Sequence, residues 1–231
     1  MMIDIVPELL EKIRADFFKE VESNKAMIRV ANMIKDGTAT YKDLNEYSVL
    51  AGRFLGGAIR KHITADVLPD GRMYYNIADR ILRTTLKDDY DLVSTAALEV
   101  QNILNKNAGL GIKAIKPELN EDRIVGLVDK ISNEVDFKQV EWVLGEPVVN
   151  FSQSIIEDSI QKNAEFQYDL GLKPKVTRTA ESGACNWCRS LEGTYTYPDV
   201  PQDVYRRHDN CRCVVDYHPV EGKKTNVWTK R

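Results

Sequence analysis

Cys185-Asn186-Trp187-Cys188, followed after nineteen residues by His208-Asp209-Asn210-Cys211-Arg212-Cys213, is the stretch on which the reading of this chain turns. It carries all four cysteines of the 231 residues and one of the three histidines. Two thiols separated by two residues can bend round one ion, each offering a sulfur at about 2.3 Å, and a second Cys/His pair from a later turn completes a tetrahedron. Cys185, Cys188, His208, Cys211 and Cys213 therefore offer five candidate ligands for four places. Soft thiolates with an imidazole suit zinc better than the hard cations, and a filled set of four leaves no position for water, so the expected role of Zn2+ is structural. Cys185, Cys188 and Cys211 rank first. His208 ranks fourth, because His-x2-Cys repeats the loop length of Cys-x2-Cys. Cys213 lies two residues beyond Cys211, on the same face of an extended strand, and can replace His208. Three other readings compete: two disulfides, a redox-active Cys-x-x-Cys, and ordinary buried cysteines. No cysteine precedes Cys185, no secretory segment is read at the start of the chain, and no βαβ alternation surrounds the motif, all of which favour metal.

Around the cysteines the hydrophobic period is two. Lys175-Val176-Thr177-Arg178-Thr179, Gly193-Thr194-Tyr195-Thr196-Tyr197 and Cys213-Val214-Val215-Asp216-Tyr217 alternate as strands, with Pro198 and Pro201 marking a loop between the last two. Residues 171–222 thus read as a small α+β module around the metal. A segment with so few large apolar side chains cannot bury enough surface to fold alone, and structural zinc supplies apparent binding energies of about 10–16 kcal/mol in small peptides. The metal is expected to act as its core. Residues 223–231 form a polar tail with one aromatic, Trp228.

Before Gly171 the period is that of helices. Helices are expected over Asp4–Glu22, Asn24–Lys35, from Thr40 to His62, Met73–Leu86, Tyr90–Asn105, after Asn120, Phe137–Leu144 and Val148–Tyr168. Thr40 with Asp43 makes a start resembling a capping box, and Asn120 caps the helix after it. Gly52 and Gly56, four apart, invite close approach by a second helix. The acidic residues of this part fall mainly opposite the apolar stripes. The expected fold class is mostly α: a multi-helix N-terminal body over residues 1–170 joined to a small zinc-stapled α+β C-terminal module.

Thr177-Arg178-Thr179-Ala180-Glu181, Cys185-x-x-Cys188, Leu191-x-Gly193 and Arg207-His208-x-Asn210-Cys211-Arg212-Cys213 resemble the C-terminal signature of phage minor head proteins, the phage Mu protein F type of head morphogenesis protein. The specific resemblance covers residues 176–216. One departure is Asp209, where many members carry Pro after the His. The resemblance implies a structural minor head protein of the virion, present in the host cytoplasm during assembly, that contacts portal or capsid proteins and packaged double-stranded DNA. It implies no enzymatic activity.

Composition fits these expectations. Net charge is −3, which does not suit a generally basic nucleic-acid binder, although residues 171–231 hold eleven Lys/Arg against seven Asp/Glu. No apolar run reaches the length of a membrane span, so no membrane partner is expected. There is no phosphate-cradling glycine loop, no Gly-x-Ser-x-Gly and no His-Glu-x-x-His. The alternative function is a zinc-stapled nuclease using Arg206-Arg207-His208, with His208 freed from the metal by Cys213 to act as a base.

Overall fold

Helix α3 (Tyr41–His62) and helix α6 (Glu146–Asp169) form the centre of the molecule. Their contact is as close as Gly52 and Gly56 predict. A Cβ at Gly52 would stand 2.6 Å from the Val149 Cα, and one at Gly56 would run into the Leu144 carbonyl oxygen. The structure, a computed structural model, describes residues 4–208 and 210–219.

Four more long helices surround this pair: α1 (Val6–Ser23), α2 (Lys25–Lys35), α4 (Tyr75–Asn107) and α5 (Glu121–Ser132). Helix α1 buries Val6, Leu9, Ile13 and Phe17, one stripe at helical spacing. Fully burying side chains of this size is worth about 1.5–3 kcal/mol each. Asn24 caps α2 by accepting from the amides of Ala26 and Met27. The Thr40 and Asp43 capping box closes the start of α3, and Asn120 accepts from the Arg123 amide at the start of α5.

Two expectations need correction here. Met73–Leu86 and Tyr90–Asn105 are one unbroken helix of 33 residues. The charged run Lys87-Asp88-Asp89 between the two expected stretches contains neither Gly nor Pro, and Asp89 turns inward to accept from the Ser152 hydroxyl at 2.5 Å. Phe137–Leu144 is not an α-helix but two short 3-10 turns, Phe137–Gln139 and Glu141–Leu144. The helix expected over Phe137–Leu144 would be stopped by Gly145 and Pro147, but Pro147 begins a helix rather than ending one. It occupies the first turn of α6, where its missing N–H costs nothing.

After α6 the chain forms β1 (Lys175–Thr179), a five-residue helix α7 (Asn186–Ser190), β2 (Gly193–Thr196) and β3 (Val214–His218). The sheet is antiparallel in the order β2-β1-β3. Val176 pairs with Tyr195 on one side and Tyr217 on the other, and Arg178 with Gly193 and Val215. Alternation therefore turns Val176 and Arg178 of the central strand to the same inner face. That face lies on the helices: Val176, Val204, Val215 and Tyr217 join the same apolar core as Ile13, Leu55 and Ile156. The sequence makes the metal the core of residues 171–222, and the structure gives that segment apolar contact with the helical body as well. Residues 220–222, the tail 223–231 with Trp228, and Asp209 lie outside the described residues.

Candidate metal centre

All five sequence-predicted ligands come together at one end of the sheet. Glu181-Ser182-Gly183-Ala184 turns the chain out of β1, closed by the Ala184 amide on the Glu181 carbonyl at 2.9 Å and by Gly183 at a φ of 87°. Cys185 then caps α7, and its sulfur accepts from the Cys188 amide at 3.4 Å. A two-residue spacer across a helix start thus puts both sulfurs on one side. The second loop is equally tight. The Cys211 amide donates to the His208 carbonyl at 3.1 Å, and Asn210 takes a φ of 60°, a left-handed conformation that Asn tolerates better than most residues.

Cys188 is the hub. With Cys185 and His208 it forms one group of ligand atoms, and with Cys211 and Cys213 another, all within 4.8 Å of one another in each group. Its sulfur is 3.7 Å from that of Cys211 and 3.0 Å from Nε2 of His208, which is also 3.4 Å from the Cys185 sulfur. A tetrahedral zinc with sulfurs at about 2.3 Å and an imidazole nitrogen at about 2.05 Å has edges of about 3.8 Å between sulfurs and about 3.6 Å from sulfur to nitrogen. The Cys188–Cys211 and Cys185–His208 separations are close to those edges, while the His208 ring has to back away from Cys188 and the two groups, which share Cys188 alone, have to draw together for four ligands to meet one ion. None of the four cysteines is in a disulfide. Cys185 is exposed while Cys188, Cys211 and Cys213 are buried, so an ion here would have a single open side.

The thiols are not equivalent. Hydrogen bonding from the Cys188 amide lowers Cys185 below the ordinary thiol range. Burial, reinforced by Cys213, pushes Cys188 up to about 12. Cys213 feels burial too, but the Glu181 amide and the neighbouring thiols outweigh it and hold it low. A metal ion binding at this hub must displace the proton of Cys188, which couples its uptake to proton release.

Sequence reasoning missed the groups that hold these loops in place. Arg207 turns inward and reaches both carboxylate oxygens of Glu157 through Nε at 3.0 Å, in a pair whose side chains are 3% and 0% exposed. It also donates to Asn45 of α3 at 3.1 Å and to the Cys211 carbonyl at 3.4 Å. Arg212 binds both oxygens of Glu146 at 2.9 and 2.7 Å. Glu146 and Glu157 are eleven residues apart on α6, close to three full turns, and so share a face. The acidic residues were expected mainly on solvated faces, but Glu157 and Asp89 are buried. Inside the sheet, Arg178 is 1% exposed and donates to the Val204 and Arg206 carbonyls at 2.5 and 3.0 Å. Its other terminal nitrogen faces the sulfurs of Cys188 and Cys211, each at 3.7 Å. The Trp187 ring stands 5.5 Å over this guanidinium and meets the His208 ring edge-on.

Away from this centre, His62 pairs with Asp16 at 2.7 Å, as a half-buried boundary residue does. Among the described residues no helix is long and apolar enough to cross a membrane. No family model matches the chain, and neither a curated protein nor a solved structure matches it.

Proposed function

We propose that this chain is a structural minor head protein acting in phage head morphogenesis, in which a zinc ion held by four of Cys185, Cys188, His208, Cys211 and Cys213 fixes the C-terminal loops against the helical body. The observation that carries the reading is that the residues responsible for the family resemblance are the same ones that build the centre. Cys185, Cys188, His208, Cys211 and Cys213 supply the donors, Arg178 backs them, and Arg207 and Arg212 anchor their loop to α6. Zinc suits a donor set of thiolates and imidazole with no hard oxygen ligand, and contributes to folding at such a site. In this role the protein meets portal or capsid proteins through surfaces of its helices and lies near packaged DNA. The test is copurification from host cells producing phage head proteins with and without the portal. Retention in heads that depends on the portal supports the reading, and absence of the chain from purified heads overturns it.

The nuclease alternative draws less support from the site. Arg207 is buried in its pair with Glu157, and Nε2 of His208 lies against two thiols, 3.0 Å from Cys188 and 3.4 Å from Cys185. DNA cleavage dependent on magnesium or manganese, lost in His208→Ala and kept in Cys213→Ser, would restore it.

A further inference from the structure

Arg178 poses a problem that the metal reading alone does not solve. Its side chain is among the largest in the protein to be fully buried, and a guanidinium keeps its charge on burial. An unpaired buried charge is among the costliest features a fold can carry. Yet among the described residues no carboxylate oxygen lies within 4.0 Å of its nitrogens. The partners it has are two carbonyl oxygens and the sulfurs of Cys188 and Cys211. The other buried arginine at the site, Arg207, already has its counter-charge in Glu157. Trp187 covers the guanidinium face and limits the access of water.

The charges around the cluster then add up in one way. A divalent ion with three thiolates and a neutral imidazole carries a net charge of −1, and with four thiolates −2. Either centre would itself be a buried anion. We infer that Arg178 is the counter-ion of the metal–thiolate centre: its guanidinium donates to the Cys188 and Cys211 sulfurs, offsets their charge, and holds them at the spacing the ion requires. This rests on the metal reading above. Arg178 is thus a positioning residue rather than a ligand, and it acts from the central strand of the sheet, where its backbone is fixed by pairing on both sides. Groups that hold metal ligands in this way typically change metal affinity by about 10–100-fold when removed.

The experiment compares the full-length wild type with Arg178→Met and Arg178→Lys, measuring zinc affinity by competition with a chromophoric chelator and the sulfur-to-metal charge-transfer band after cobalt substitution. Arg178→Met keeps much of the volume and loses the charge, and it is expected to bind zinc about 10–100-fold more weakly with a shifted cobalt band. Arg178→Lys keeps the charge but cannot span the two carbonyls and two sulfurs with a fork, and it is expected to stay within about tenfold of the wild type. Were Arg178 only a brace for the Val204 and Arg206 carbonyls, Lys would fail as badly as Met, and that result overturns the inference. Unchanged affinity and spectrum in Arg178→Met overturn it too. If Arg178→Met does not fold, the Lys variant alone decides, by the same limit. A wild type that takes up no zinc or cobalt would instead sink the metal reading beneath it, a result distinct from the others.

Discussion

Glu157→Gln keeps the shape of the side chain and removes one charge from the place where the C-terminal loops meet α6. In the native protein Arg207 reaches both Glu157 oxygens at 3.0 Å, and neither side chain is more than 3% exposed. The variant leaves Arg207 its contacts with Asn45, the Cys211 carbonyl and, at 3.9 Å, the Cys211 sulfur, so the guanidinium stays buried without a carboxylate partner. Removing one partner of a buried ion pair costs about 3–5 kcal/mol, because the survivor is uncompensated. With a urea dependence of about 2–3 kcal/mol per molar, the unfolding midpoint falls by about 1–2.5 M. The assay is urea titration followed by far-UV circular dichroism, under reducing conditions with zinc in excess. A double variant, Glu157→Gln with Arg207→Met, removes the orphaned charge and is expected to recover part of the loss. A midpoint that moves by less than about 0.3 M in Glu157→Gln, or a double variant no more stable than the single one, refutes the reasoning.

Cys188→Ser is expected to reduce bound zinc from about one equivalent to almost none, because this sulfur belongs to both ligand groups; metal analysis after reduction checks it. His208→Ala and Cys213→Ser, measured side by side, tell which residue is spare: with His208 in the set, zinc survives the loss of Cys213 and not of His208. Asp89 has its carboxyl pushed up to about 7 by burial, against the opposing hydrogen bond from Ser152. The folded state therefore holds a proton that the unfolded state gives up, so its contribution to stability is full below about pH 4 and is lost as pH rises through 7, a span worth about 4 kcal/mol. Asp89→Asn should remove that decline, seen as a difference in stability from the wild type that grows between pH 4 and pH 8. Gly52→Ala should gain the helix propensity of Ala, about 1 kcal/mol, and still lower stability by about 1–3 kcal/mol net, since its methyl meets the Val149 backbone; thermal melting measures it.

The elements that follow a local rule were legible in the sequence. The three strands, the caps at Thr40 and Asn120, and the close passage at Gly52 and Gly56 each depend on residues near one another in the chain or on the absence of a side chain. The gathering of the five candidate ligands was legible because their spacing is of the kind that can bend round one ion. Failures came where a polar residue has a distant partner. Asp89 falls between the two helices expected over Met73–Leu86 and Tyr90–Asn105, and its partner Ser152 lies 63 residues away, so nothing local marks it as buried inside one long helix. Glu157 sits beside Ile156 with nothing local to show that Arg207, 50 residues later, would meet it. Arg178 did leave a signal: it has the parity of Val176 in an alternating strand, and a charged residue on the buried face of a strand asks for a counter-charge. Helix α7 is a single turn, too short for a periodic pattern to register.

The link from Arg207 to Glu157 and Asn45 also orders events in time. A ribosome releases α3 and α6 well before it releases Arg207, so the two central helices can begin to dock while Glu157 has no cation to face. Until Arg207 emerges, that carboxylate must stay hydrated, and the α3–α6 seam next to it cannot fully dry. The helical part is therefore incomplete as a free-standing piece. A fragment ending before Arg207 should expose apolar surface from its centre, and the long sequence separation of this contact makes the C-terminal loops the final closure of the fold rather than an appendage to it.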